Sequence, residues 1–290
     1  MGDTCGAGPP PRIPPSHFQT VANSARDLIY RGFVGGQMLS VSCLGPFGTR
    51  LTSSATIAHD FTVGAMSATL VEGPRKHELT FSTLNNQISG TATFLNLWTP
   101  GMTVAVSTSM KEGSTDGSVN VQYLHPMAAM SAKVFGTKDR PEAEVAMNLG
   151  SLNTFAGGRF CMDARTRHLD ASQIGCGYRN GDTTATVLCD PFVDKSVDAY
   201  FTRYIQPQTQ VGAHVTFLLE RKLKSVRIAG SHVLDSQTTV KWKLDDVGTA
   251  AGLLQFSPNS QVTCGLAAAV NFRNLRQAPS VGLSLQVLPS

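Results

Sequence analysis

From Gln37 onward, apolar and polar side chains alternate, which is the period of a strand with two unlike faces. In SVGLSLQVL, Val281, Leu283, Leu285 and Val287 oppose Gly282, Ser284 and Gln286. In EAEVAMNL, Ala143, Val145, Met147 and Leu149 oppose Glu142, Glu144 and Asn148. TTVKWKLDD sets Val240, Trp242 and Leu244 against Thr239, Lys241, Lys243 and Asp245. VGAHVTFLLE sets Val211, Ala213, Val215, Phe217 and Leu219 against Gly212, His214, Thr216 and Glu220. Turn residues break the pattern at short, even intervals: Pro46, Gly73-Pro74, Asn85-Asn86, Pro100-Gly101, Gly113 to Gly117, Lys138 to Pro141, Asn180-Gly181-Asp182, Pro191, Pro207, Asp235-Ser236, Asp246 to Gly248 and Pro258-Asn259. The intervals leave about nine to eleven residues per strand, the length of a tilted strand crossing a bilayer. About nineteen candidate strands fit between Gln37 and Pro289.

Residues 16–32 follow another period. Phe18, Val21, Ala22, Ala25, Leu28 and Ile29 recur at helical spacing, with Asn23, Arg26, Asp27, Tyr30 and Arg31 on the other faces. Ser16 and Gln19 have the spacing of a capping box. Gly32 stops the helix, and Gly35-Gly36 forms a joint before the first strand. The chain thus divides into a Pro/Gly-rich leader over 1–15, expected to be extended or disordered, an amphipathic helix over 16–32, and strands over 33–290.

Composition bears on what the strands face. Hydrophobic residues make up 41% of the 290 and charged residues only 15%, against about 25% charged in a typical soluble domain. A soluble β-sandwich would carry frequent Lys and Glu on its polar faces, yet those faces are mostly Ser, Thr, Gly, Asn and Ala. A membrane barrel inverts the layout, with the apolar face toward lipid and the small polar face toward a lumen, and the pattern favours it. Short turns suit a membrane, where every backbone group has to pair within the barrel. The net charge of +4 is too mild and scattered to argue for nucleic acid, but it would bias a pore toward anions.

No catalytic or metal motif stands out. G-x-S-x-G, HExxH and P-loop patterns do not occur. The segment GCGYRNG reads as a glycine-bearing strand running into an Asn-Gly turn. The histidines sit singly, and the six cysteines form no CxxC pair and read as small, reduced hydrophobes. Neither an enzyme, a metal nor a cofactor is expected.

SARDLIYRGF (Ser24 to Phe33) resembles the N-terminal helix of mitochondrial porins, the voltage-dependent anion channels, and in particular their plant branch. GGQMLSVSC is similar to the first strand of that family, and HVLDSQTTVKWKLDDVGTAAGLLQFSP to its C-terminal signature. Ser280, Gly282, Leu285 and Val287 resemble its sorting signal for outer-membrane insertion. The sequence departs from the family pattern in its longer leader, in Ser24 where Lys is common, in Trp242 where a small residue is usual, and in Gly101-Met102-Thr103 at a place linked to nucleotide contact. Thr83 stands where some animal members carry a membrane-facing Glu, so mechanisms built on that carboxylate are not carried over.

The resemblance implies an all-β, 19-stranded transmembrane barrel with the helix inside its lumen. The apolar stripe would pack on the wall, while Arg26, Asp27, Tyr30 and Arg31 face water and Gly32, Gly35 and Gly36 serve as a hinge. It further implies passive, voltage-gated diffusion of metabolite anions such as ATP, ADP and phosphate across the mitochondrial outer membrane, a plastid or other outer membrane being the alternative. Strand parity makes Arg159, Arg165, Arg227, Lys241 and Lys243 candidate lumen cations, and Trp98, beside the Pro100-Gly101 turn, is an interfacial anchor. Membrane lipid, nucleotides and other anions are the expected partners, with a second copy of the chain and cytosolic kinases as further candidates. Two other readings share the architecture: a non-conducting membrane scaffold and a protein-import barrel.

Overall fold

The computed structural model describes residues 16–33, 35–57, 62–111, 113–136, 141–151, 153–219, 224–274 and 278–288. The leader expected over 1–15, Glu220 and the turn residues 138–140 lie outside them. Nineteen strands follow one α-helix, α1 (Asn23–Tyr30). They are β1 (Gln37–Leu44), β2 (Arg50–Ile57), β3 (Thr62–Glu72), β4 (Arg75–Ser82), β5 (Gln87–Leu95), β6 (Met102–Lys111), β7 (Ser114–His125), β8 (Ala128–Gly136), β9 (Pro141–Gly150), β10 (Thr154–Asp163), β11 (Leu169–Asn180), β12 (Thr183–Asp190), β13 (Ser196–Gln206), β14 (Thr209–Leu218), β15 (Lys224–Val233), β16 (Thr238–Asp245), β17 (Thr249–Phe256), β18 (Val262–Asn271) and β19 (Ser280–Val287).

Each strand pairs antiparallel with its successor in a single sheet. An odd number of up-and-down strands leaves the first and last running the same way, so the sheet can close only through a parallel pair. That pair is β1 with β19, in register from Gln37↔Leu283 to Val41↔Val287. The Leu283 N–H donates to the carbonyl of Gly36 at 2.8 Å, one residue before β1, and extends the seam. Closure removes both sheet edges, the condition for placing strands in lipid. Ten residues at about 3.3 Å each, tilted by about 45°, span roughly 23 Å, close to the apolar band of such barrels.

Residues paired directly across a ladder share a face, so the register carries one face around the whole barrel. Leu39, Met66, Leu79, Ile88, Val106, Val145, Ile174, Trp242, Leu266 and Leu283 lie on the outer face, and all are well exposed. A soluble protein would have buried such side chains. Most expected turns lie between strands; of Gly113 to Gly117, however, only Gly113 turns, and Ser114 to Gly117 already pair in β7.

The opening helix forms in two pieces, not one. A short 3₁₀ turn, Phe18–Thr20, precedes α1, whose N-cap is Ala22. The expected capping box is absent. The Ser16 carbonyl instead accepts from Asn148 Nδ2 at 2.7 Å, and the Gln19 amide donates to Glu144 Oε1. An eight-residue helix has little stability of its own, so tertiary contacts hold it. Phe18, Val21, Ala22, Ala25, Leu28 and Ile29, the predicted stripe, are all buried against the inner wall.

Candidate functional site

The site is the strip where the opening segment meets the inner wall. The 3₁₀ turn packs on β9 and β10, and α1 on β13, β14 and β15. Two apolar clusters hold it. Phe18, Val21, Ala22 and Ala25 lie among Ala146, Phe155, Leu188 and Tyr200, while Leu28 and Ile29 meet Ala229. Glycines make the close approach possible. A Cβ on Gly212 would come within 2.8 Å of Leu28 Cδ2, and one on Gly177 within 2.2 Å of the Phe155 ring.

Polar contacts pin each end. Glu144, nearly fully buried, accepts from Gln19 and from Arg159 Nη2 at 2.7 Å. At the other end, Arg227 Nη1 donates to Tyr30 Oη at 3.0 Å, and Tyr30 Oη lies 2.6 Å from His214 Nδ1. His214 Nε2 lies 3.0 Å from Asp198 Oδ1, which also accepts from Thr216 Oγ1 at 2.7 Å. The Tyr200 ring stacks on His214 with centroids 4.2 Å apart, and the Arg26 guanidinium lies over Tyr200 at 5.3 Å.

The expected pore residues separate accordingly. Arg26 is half-buried over Tyr200, and the Tyr30 hydroxyl is engaged by the wall, so neither simply faces water. Asp27 and Arg31 are exposed and 3.9 Å apart. They border a cavity of 560 Å³ with Lys241, Gln255, Thr263 and Gln286. Lys243 lies over the ring of Phe33, just past the helix, at 4.6 Å. Arg227, Lys241 and Lys243 therefore gather beside the helix. Arg159 is on the wall but neutralised by Glu144. Arg165 is not on the wall: its backbone N–H donates to Asp163 Oδ1 at 2.7 Å in the turn after β10, which carries the side chain out of the strand.

Of the three hinge glycines, Gly32 has a left-handed φ of +97°, and a Cβ there would meet Leu253 Cδ2 at 2.7 Å. Gly36 is tied to β19 through its carbonyl. Ser280, Gly282, Leu285 and Val287 all fall on β19, with Gly282 on the inner face and Leu285 and Val287 on the outer. Sequence reasoning missed Glu144, Asn148, Asp198, Tyr200 and His214 as site residues. The one signal was their place on the polar face of alternating strands. No group of three or more metal-ligating side chains occurs among the described residues.

A closed barrel with an apolar exterior, a polar interior and one element lodged inside is a membrane channel of the porin class. A family model described as eukaryotic porin matches residues 14–282, and the chain belongs to that family, whose members are channel proteins and not enzymes. The mitochondrial outer membrane porin of Triticum aestivum is 23% identical over 275 residues, covering 95% of this chain and 99% of that one. Mitochondrial outer membrane protein porin 4 of Arabidopsis thaliana is 24% identical over 277 residues, covering 95% and 98%. The outer plastidial membrane protein porin of Pisum sativum is 25% identical over 279 residues, covering 95% and 99%. The family and these names put the barrel in an organellar outer membrane, mitochondrial or plastidial, with lipid around it and small molecules passing through.

Proposed function

We propose that the chain is a voltage-gated, anion-preferring channel of the mitochondrial outer membrane, through which ATP, ADP, phosphate and similar anions diffuse passively. The carrying observation is the cluster of Arg31, Arg227, Lys241 and Lys243 along the docked helix, with Arg31 and Lys241 bordering a cavity beside it. Fixed cations in a confined aqueous path raise the local anion concentration without a tight filter. Carboxylates are interspersed, Asp27 beside Arg31 and Asp245 opposite Arg227 in the ladder, so the preference is mild.

The docked helix corresponds to the open state in this reading. A helix that leaves the wall, hinged at the glycines Gly32, Gly35 and Gly36, narrows the path and closes it. Its charges, Arg26 and Arg31 against Asp27, let the membrane potential act on the movement. A second copy of the chain or a kinase on the membrane surface is compatible with this barrel, but no contact surface singles either out.

The test is reconstitution of the purified protein in a planar bilayer under a salt gradient. Large current steps, a reversal potential on the anion side and closure at high voltage of both signs are expected. Replacing Lys241 and Lys243 together by Gln should move the reversal potential toward zero. A cation preference would overturn the selectivity. Absence of current from folded, inserted protein would overturn the channel and favour the non-conducting scaffold.

A further inference from the structure

We propose that the outer wall over β3 to β6 seats one phospholipid with a primary ammonium headgroup, phosphatidylethanolamine. Its headgroup is held between Arg75 and Glu72, and one acyl chain lies in a groove below them.

The register places these residues. Ala68, Leu70 and Glu72 of β3 pair with Leu79, His77 and Arg75 of β4, so all share the outer face on which Leu79 lies. β5 continues that face with Gly90 opposite Leu79 and Ala92 opposite His77, and β6 with Val106 opposite Ala92. Side chains are small at Ala68, Gly90 and Ala92 and larger at Leu70, Leu79 and Val106, which leaves a groove of about 520 Å³ in the lipid-facing wall. A Cβ on Gly90 would meet only Leu79 Cδ1, at 4.0 Å, so the floor there is open.

Charge stands at the head of the groove. Arg75 opens β4 just after the Gly73-Pro74 turn, and Glu72 closes β3 opposite it. Both are exposed, and among the described residues neither side chain has an ion pair or hydrogen bond. Glu78, the next carboxylate, is on the inner face and is taken by Lys76 at 2.9 Å. From Arg75 to Leu79 is four residues, roughly 9 Å of depth in a tilted strand. The charges therefore sit at headgroup level when the groove lies among acyl chains. His77 falls between, where either neutral tautomer offers one N–H to an ester carbonyl. Exposed aromatics flank the hairpin. Phe47, 93% exposed, is in the β1–β2 loop, whose Thr49 lines the groove. Trp98, 79% exposed, is in the β5–β6 loop, and the Leu95 N–H at the base of that loop donates to the Pro74 carbonyl at 2.7 Å. An indole so placed settles at headgroup level.

The two charges select the headgroup. A phosphodiester accepts from the Arg75 guanidinium, a charge-assisted contact of matched geometry. Glu72, beside it on the same face, repels an anionic headgroup and accepts from a primary ammonium, which has N–H groups to donate. Choline carries the same charge with no N–H, and phosphoglycerol carries no cation. Of the three, ethanolamine satisfies both side chains.

The probe is Trp98 fluorescence of the full chain carrying Trp242→Phe. The vesicles are phosphatidylcholine with a minor fraction of one lipid brominated near the ester end of its chain. Brominated phosphatidylethanolamine should associate beside Trp98 about two- to fivefold more than brominated phosphatidylcholine or phosphatidylglycerol, the weight of one exposed ion pair. Glu72→Gln should reverse the order and favour phosphatidylglycerol, since only the cation remains. Arg75→Gln should lower phosphatidylethanolamine toward phosphatidylcholine. Gly90→Leu keeps both charges, has room for its Cβ and fills the groove, and should also abolish the preference. Equal quenching by the three lipids, or most by phosphatidylglycerol, with Glu72 and Arg75 in place overturns the proposal. An order unchanged in Glu72→Gln overturns the headgroup assignment. A preference that survives Gly90→Leu is attraction at the rim alone and overturns the seat. None of these readings needs current, so the seat stands or falls apart from the channel reading.

Discussion

Ile29→Ala tests whether burial of the apolar stripe holds the helix on the wall. Ile29 is 0% exposed and meets Leu28 and Ala229. The substitution removes three carbons, worth about 0.8 kcal/mol each in transfer, and leaves a cavity whose cost adds to that. The wall opposite is a strand in a closed ladder, which cannot move inward to fill the space. The docked state should lose roughly 2–5 kcal/mol, the range of such truncations. The undocked helix exposes the same position to lumen water in either variant, so most of this loss falls on docking. Moving one charge through 100 mV is worth about 2.3 kcal/mol, and Arg26 and Arg31 against Asp27 give the helix a net charge of about one. The voltage that closes the channel should therefore fall by tens of millivolts or more. The assay is the steady-state conductance-voltage curve, read beside amide exchange over residues 23–30. Adding Ala229→Val, which returns two methyl groups to the same space, should recover part of the shift. Unchanged exchange and an unchanged curve in Ile29→Ala would refute the argument that burial of the stripe docks the helix.

Three further outcomes follow from other parts of the barrel. Glu144→Gln leaves Arg159, about one-third exposed, without its counter-charge; it should destabilise the folded barrel by about 1–3 kcal/mol, less than a fully buried broken pair, in urea unfolding from vesicles, and raise the anion preference. Leu283→Lys puts a charge on the lipid face of β19, where Leu283 is 54% exposed, and should cost about 2–4 kcal/mol if it lies near the bilayer midplane, seen as lost membrane insertion. Asp235, in the turn after β15, has its carboxyl held below its ordinary value by the Gln237 backbone N–H at 2.7 Å, with Thr238 adding to it. A depressed carboxyl stabilises the turn above its ordinary pKa of 3.8 and loses that contribution as pH falls through the lowered value, so the Thr238 amide should lose protection only in strong acid, and in Asp235→Ala should lack it at neutral pH.

What was legible in the sequence is what depends on period. Alternation assigned Val145 and Met147 to one face and Glu144 and Asn148 to the other, and the ladder keeps that division because a one-residue slip would expose every lipid-facing side chain to the lumen. The helical stripe was equally plain, since all six of its members are buried. The capping box failed because Glu144 takes the Gln19 amide and α1 begins only at Asn23, and Glu144 lies far along the chain. For the same reason the contact between Tyr30 and His214 was invisible: the two are 184 positions apart and meet only in the folded barrel. Arg165 misled because a basic residue near a strand end looks the same in sequence whether it is the last rung or stands in the turn, where Arg165 is the second residue past Asp163.

The position of the helix follows from an asymmetry of the inner wall. Along β2 to β7 the middle of the inner face is largely small and polar, with Thr52 and Ser54, Ser67, Thr80, Ser89 and Thr91, Ser107 and Ser109, then Ser118 and Asn120, joined by the register, and Arg50, Lys76, Glu78 and Lys111 share that face. An apolar stripe laid there would trade water for hydroxyls and gain little. From β9 round to β18 the inner face carries Ala146, Phe155, Leu188, Tyr200, Ala229, Ala251, Leu253 and Ala267, all buried. This arc offers the helix buried apolar surface, and its glycines, Gly177 and Gly212 among them, let ring and helix lie close to the backbone. Gly32 lies beside Leu253 of β17, near the β18 end of the same arc. The sequence thus seats the helix on one side by giving it one side to bind. The hydroxyl-lined arc is left uncovered, while the cations of β15 and β16 lie within the apolar arc, beside the helix.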